Sequence, residues 1–241
     1  MSLIQRERLP DGIEVLRLDR PEVRNAMDRA LLAELEEALA ELAADSELRV
    51  LVISTTSERA LCAGADVSET LTPEEGVERM EAFARFYSAM NAFPVPTIAV
   101  AVGNCVGAGA ELVAGADLRV GGDNLKLAWA GARLGVPVGP ARLPPLVGLS
   151  IAKELVFTGR VVGCEEARAL HLLHRTAPAA EAEAVALELA REVAANNPAG
   201  LRRLKAMFAE YDGTAARIDS ENAELIAFQR DGGGLPQGPR D

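Results

Sequence analysis

The sequence predicts an α/β chain with a largely parallel, buried sheet. Three observations predict it. The stretches "GIEVLRLDR", "RVLVIST" and "PVPTIAVAV" are apolar or alternate apolar with polar residues, and read as strands. Two long segments with helical periodicity separate them. The resulting order, strand–helix–strand–helix–strand, is that of crossover helices on a parallel sheet.

Each element has a local reason. The helix "MDRALLAELEEALAELAAD" places Leu31, Leu35, Leu39 and Leu42 on one stripe, with Asp28 as its N-cap and no internal Gly or Pro. "SERALCAGADVSE" reads as a loop of small residues. "TPEEGVERMEAFARFYSAMNAF" opens as a capped helix with Pro73 in its first turn. Two prolines set the entry of the third strand. After the stretch "VGNCVGAGAELVAGADLRV" come "ADLRVGG" and "LKLAWA" as short strands, then the Gly/Pro-rich loop "GARLGVPVGPARLPP". From "GLSIAKELVFTG" onward the chain reads as helices. A soft boundary at Asn197–Pro198 divides a core, residues 1–197, from C-terminal helices and a frayed tail, residues 198–241.

Composition narrows the function classes. The chain has 241 residues, 49% hydrophobic and 25% charged, as expected of a globular rather than a disordered protein. No apolar run approaches the ~18 residues of a membrane span. The opening "MSLIQRERLPDG" is too polar for a signal peptide. A cytoplasmic enzyme or binding protein is expected. The net charge of −11 argues against nucleic acid and anionic membranes as partners. Cys62, Cys105 and Cys164 lack CxxC spacing, and no acid or thiol cluster joins His171 and His174; buried free thiols and no metal are expected.

Glu111 carries the chemistry. It follows the bare segment "GAGA" at a strand-to-helix turn, where unpaired backbone N–H groups can polarise a carbonyl oxygen. The loop "CAGAD" offers a second set of small residues at the end of another strand. One donor from each loop, with a carboxylate alongside, makes an oxyanion hole with an acid/base. In apolar surroundings the Glu111 pKa should be raised.

The motifs "RPEVRNAMD", "CAGADV", "VGAGAELVAGADLRV", "RLPPLVG" and "LVFTGR" resemble the crotonase superfamily (enoyl-CoA hydratase/isomerase), over nearly the whole chain from Ile13 to about Phe228. The resemblance implies a spiral of ββα units, followed by C-terminal helices that build a trimer, often paired into a hexamer. It implies an acyl-CoA thioester as partner, with coenzyme A entering as part of the substrate rather than as a separate cofactor. The thioester oxygen would sit between the N–H groups of Ala65 and Ala108, and Glu111 matches the first of two hydratase glutamates. Arg24 and Ala26 match the segment along the pantetheine and phosphate path. Ala63, Asp66 and Val67 match the loop around the adenine, and Ser68 stands where some relatives carry a phosphate-binding lysine.

Three departures stand out. Gly131 occupies the place of the second glutamate, which should impair hydration, and Gly131→Glu is expected to restore it. Gly139 stands where dehalogenating relatives place an aspartate nucleophile. The loop from Gly135 to Arg142 is shortened, which reshapes the acyl pocket, with Trp129 either walling that pocket or standing as a core indole with a bonded N–H. A single glutamate suffices in principle for double-bond isomerisation, although isomerases of the group usually keep the other position. Two rivals remain: a non-catalytic acyl-CoA-binding or assembly protein of the same fold, and a dinucleotide-binding site at "GAGAEL". Leu112 stands where the latter fingerprint needs its third glycine.

Overall fold

The computed structural model describes residues 2–235; the end of the expected frayed tail lies outside them. The elements run β1 (Ile4–Leu9), β2 (Ile13–Leu18), α1 (Arg29–Ala44), β3 (Val50–Thr55), β4 (Ala60–Cys62), α2 (Pro73–Asn91), β5 (Thr97–Ala101), β6 (Asn104–Val106) and α3 (Ala108–Gly115). There follow β7 (Leu118–Gly122), β8 (Lys126–Ala128), α4 (Pro144–Val147), α5 (Leu149–Thr158), α6 (Cys164–Ala169), β9 (Arg175–Ala177), α7 (Ala182–Ala194), α8 (Pro198–Asp212) and α9 (Thr214–Asp231).

Six strands form one sheet in the order β1-β2-β3-β5-β7-β9, and three short strands form a second, β4-β6-β8. Every pairing is parallel except β1 with β2, which is an antiparallel ribbon. This is the spiral of ββα units that the motifs implied. The polar opening segment, to which the sequence alone assigns no element, contains strand β1: its residues Gln5 to Arg8 are exposed, as an edge strand allows. The loop of small residues after β3 likewise contains a strand, β4.

Strand parity divides the core in two. Val50, Val52, Ile98, Val100 and Val120 face α7 and bury against its alanines and Leu189. Leu51, Ile53, Ala99 and Ala101 face the other way, into the larger core with α1, α2 and α3. The α1 stripe of Leu31, Leu35, Leu39 and Leu42 is buried as predicted, each side chain contributing about 2 kcal/mol. Asp28 caps that helix by accepting from Leu31 N at 2.8 Å. Thr72 and Glu75 close a reciprocal cap on α2. Cys62, Cys105 and Cys164 are buried free thiols. Among the described residues no helix is long and apolar enough to cross a membrane.

The C-terminal helices do not stand apart from the core. Asp117, at the start of β7, accepts from Thr97 N at 2.7 Å and from Lys205 Nζ of α8 at 2.7 Å. Asn222 of α9 donates to Ala84 O of α2 at 3.1 Å, which lays α9 along the helix that lines the site.

Candidate active site

The site is assembled where the two sheets meet the N-terminus of α3. Gly107 caps that helix with a φ of 54°, a conformation costly for residues with a Cβ. Gly109, in the first turn, lies against β4: a Cβ there would stand 2.0 Å from Cys62 O. That contact is possible only for glycine, and it draws the start of α3 onto the end of β4. A Cβ on Gly64 would stand 3.0 Å from Val106 O, so the two following loops also touch. The bareness of "GAGA" thus has a packing cause. It lets one backbone reach another.

The consequence falls on two amides. Met27 N donates to Gly64 O and Asp66 N to Met27 O, both at 2.8 Å, and this pairing leaves the Ala65 N–H between them unspent. Ala108 is the first residue of α3, so its N–H has no helical acceptor. Among the described residues neither amide donates to a protein carbonyl. Both residues line one apolar cavity of about 430 Å³, together with Ala63, Val67, Gly131 and, from α2, Met80, Phe83 and Tyr87. Leu225 of α9 and Leu235 close its far side.

The remaining expected site residues fall elsewhere. Arg24 is exposed and left-handed at φ 54°; its carbonyl accepts from Ala63 N at 3.0 Å, which ties its segment to the cavity loop. The carbonyl of Ala26 accepts from Arg20. Asp66 is buried and its carboxylate is engaged internally, by Ser68 N at 3.0 Å, Ser68 Oγ at 2.6 Å and Arg20 at 3.3 Å. None of these three stands in the cavity wall.

Glu111 is not a lone acid. Its side chain has no exposure, and Oε2 accepts from Arg142 Nη1 at 2.8 Å. The same nitrogen donates to Glu221 Oε1 of α9 at 2.8 Å, and the guanidinium stacks 4.4 Å above the Tyr87 ring. Glu221 Oε2 accepts from Ala141 N at 2.8 Å. Burial pushes the Glu111 carboxyl above its ordinary range, and the Arg142 charge pulls it back only in part. Burial opposes the Arg142 charge, but Glu111 and Glu221 outweigh it and hold the guanidinium protonated. Burial, and next the nearby Glu111 charge, push Glu221 up to about 7. Tyr87 is held neutral by burial first and by Glu111 second.

Two expectations change here. Trp129 does not wall the cavity, and it is not a bonded core indole either. It is 1% exposed behind the wall, with Nε1 near enough to Glu111 to lower its pKa but without regular hydrogen-bond geometry. Gly131 does line the cavity, yet the shortened loop folds back onto it. A Cβ there would stand 2.6 Å from Val136 O and 2.8 Å from Val138 Cγ2. Gly131→Glu therefore displaces the loop before it adds a carboxylate, and restored hydration is no longer expected of it. Sequence reasoning missed Arg142, Glu221 and Tyr87. Tyr87 shares a helical face with Met80 and Phe83, a spacing that was readable; Glu221 lies among polar residues and carried no signal.

Comparison with known proteins agrees with this architecture. The enoyl-CoA hydratase/isomerase family model matches residues 8–229. Enoyl-CoA hydratase domain-containing protein 2, mitochondrial, of Mus musculus is 36% identical over 200 residues, covering 79% of this chain and 68% of that protein. Methylglutaconyl-CoA hydratase, mitochondrial, of the same species is 33% identical over 204 residues, covering 80% and 65%. The chain thus spans about two thirds of the length of these curated relatives. The solved structure of enoyl-CoA hydratase from Bacillus anthracis superposes with a TM-score of 0.82 at 25% identity, covering 99% of this chain and all of that one. Motifs, sheet topology and these matches agree over the length of the fold, and the chain belongs to the enoyl-CoA hydratase/isomerase family.

Proposed function

We propose that this protein is an acyl-CoA enzyme that holds the thioester oxygen between the Ala65 and Ala108 amides and moves a proton with Glu111 alone. The observation that supports this reading is the pair of unspent amides from two touching loops, on residues that both line one apolar cavity. Each such donor stabilises a developing oxyanion by about 3 kcal/mol. Among the described residues the wall holds no carboxylate; Glu111 stands buried behind Ala108, so a water held in the cavity between two acids has no place here. One base is enough for an enolate. Glu111 takes a proton from carbon, the C–H electrons pass into the thioester, and the oxygen charge rests on the two amides. The carboxylic acid then returns the proton to the same or to an allylic carbon, and no co-reactant is consumed. Glu111 follows Ala108 by three residues, about 4.5 Å along the helix on nearly the same face, which favours the carbon bonded to the held carbonyl.

The second reading, an acyl-CoA binder without turnover, is favoured by one observation: the Glu111 carboxylate is unexposed and ion-paired. Exchange of α-protons separates the two. Incubation of butyryl-CoA and crotonyl-CoA with the protein in D2O, read by mass spectrometry, is expected to show deuterium uptake. Glu111→Gln should slow that uptake about 100-fold or more and leave binding within a few fold. Binding without exchange in the wild type selects the binder; no binding at all removes both readings.

The implied trimer, or dimer of trimers, is supported by an exposed apolar stripe on α8. There Leu204, Phe208 and Tyr211 are 52%, 72% and 72% exposed. Sedimentation velocity at micromolar concentration is expected to give a species of three or six chains, and a monomer would refute it.

A further inference from the structure

Three chain segments meet at Arg142. The loop that carries it is gripped by α9 at both of the Ala141 backbone groups: Glu221 Oε2 accepts from Ala141 N at 2.8 Å, and Arg217 Nε donates to Ala141 O at 3.2 Å. Arg142 then spends a single nitrogen, Nη1, on two carboxylates from different helices, Glu111 and Glu221. Its ring partner Tyr87 lines the cavity. The orphaned atoms gather around the same point. Glu111 Oε1, Trp129 Nε1 and Arg142 Nη2 are buried and have no hydrogen-bond partner among the described residues. One carboxylate oxygen is pinned and its twin is bare.

We propose that Arg142, braced by Glu221 of α9, is the positioning residue of the site: it pins Glu111 Oε2, keeps that carboxylate anionic and leaves Oε1 to exchange the proton. This inference rests on the proton-transfer role proposed above. The physical case is one of orientation and charge. An unpinned glutamate samples several rotamers and, in surroundings this apolar, takes up a proton; a base that is protonated or misaimed cannot abstract one. Arg142 removes both failures with one hydrogen bond.

The inference separates from a merely structural role by pH. The groups facing Glu221 are Arg142 and Glu111 across the junction, Tyr87 on α2 and Arg217 on its own helix. The Arg142 cation makes Glu111 easier to ionise, and the Glu111 charge in turn makes Glu221 the later of the two to lose its proton. Proton exchange by an anionic base rises with pH as Glu111 ionises. Arg142→Gln should move that rise upward by about one pH unit or more, a roughly tenfold loss at fixed pH below it. Arg142→Lys, which keeps the charge but not the fork, should return the rise to near its original pH with a lower plateau. Glu221→Gln removes only the later-titrating acid and should leave the rise near its original pH.

A readout independent of turnover is available. Trp129 is the sole tryptophan of the chain and adjoins Glu111, so its fluorescence titration should show the same pH behaviour in the three variants without substrate. The experiment measures deuterium uptake and fluorescence against pH for the wild type and the three variants. An upward shift in Arg142→Gln, with rescue by Arg142→Lys and an unmoved rise in Glu221→Gln, supports the inference. Should Arg142→Gln fail to fold, Arg142→Lys decides: a lower plateau with the rise near its original pH supports the inference, and an unchanged plateau overturns it. A uniform rate loss with unmoved pH profiles overturns it and leaves Arg142 a structural tie. Fluorescence shifts in a protein whose wild type exchanges no α-proton support the hold of Arg142 on Glu111, and overturn only the reaction proposed above.

Discussion

Arg142→Met is expected to lower the stability of the protein by about 3–5 kcal/mol at pH 8, because it strands two buried carboxylates without a cation. For a chain of this size that corresponds to a fall in Tm of about 10 °C. Methionine fills much the same volume, so lost packing is a minor part of the effect. The loss should depend on pH with a definite sign. In the wild type, burial holds the Glu221 carboxyl up at about 7, above the 4.5 of an ordinary glutamate. The folded state therefore binds more protons than the unfolded state between those values, and stability falls as pH rises through that window. Removing Arg142 raises both carboxyls further, so the variant suffers most at pH 8 and least near pH 5, where both can be neutral. Thermal melts at the two pH values check this; an equal penalty at both would mean that the guanidinium contributes packing and not charge. Replacing Glu111 and Glu221 by glutamine in the same variant should recover most of the loss, since no charge is then left unpaired.

Gly109→Ala sets two local forces against each other, and their order decides the sign. Helix propensity alone favours alanine over glycine by about 1 kcal/mol. Against it stands the backbone of β4: the new Cβ would lie 2.0 Å from Cys62 O and 2.9 Å from Cys62 C. Those atoms belong to a paired strand and cannot swing aside as the end of a side chain can. The helix must lift off the strand, at about 3 kcal/mol or more for an overpacked core contact. The expected result is a fall in Tm of about 6–12 °C, together with weaker acyl-CoA binding at temperatures where the variant is still folded. The second effect follows from geometry, because lifting α3 carries the Ala108 amide away from the Ala65 loop. A stabilised Gly109→Ala would show that α3 does not need its close approach to β4.

Most elements of the fold were legible in the sequence, and the misses have physical reasons. Long strands with buried faces and the leucine stripe of α1 declare themselves by period, and Asp28 and Thr72 by cap chemistry. Strand β1 hid because an edge strand with a wet face carries few apolar residues. Strands β4, β6 and β9 hid because each is three residues long and set among small or polar neighbours, whereas the equally short β8 lies in the more apolar "LKLAWA". At the site, the two touching loops could be picked out by their small residues. Their cavity wall includes the expected positions Ala63, Ala65, Val67, Ala108 and Gly131, while Arg24, Ala26, Asp66, Trp129 and Glu111 itself stand outside it.

What the sequence determined by itself is the family, the strand-to-helix turn bearing Glu111, and the absence of a second glutamate at position 131. These are local matters of residue type and spacing. Only the tertiary structure decided that Glu111 has company. Arg142 lies 31 residues away from it in the chain and Glu221 lies 79 beyond Arg142, and no periodicity connects positions so far apart. Their meeting depends on α9 folding back along α2 and on a loop short enough to return Arg142 to the foot of α3. A charge in a sequence is only a charge. Whether it becomes a base, a brace or a bystander is set by which other charges the chain folds against it.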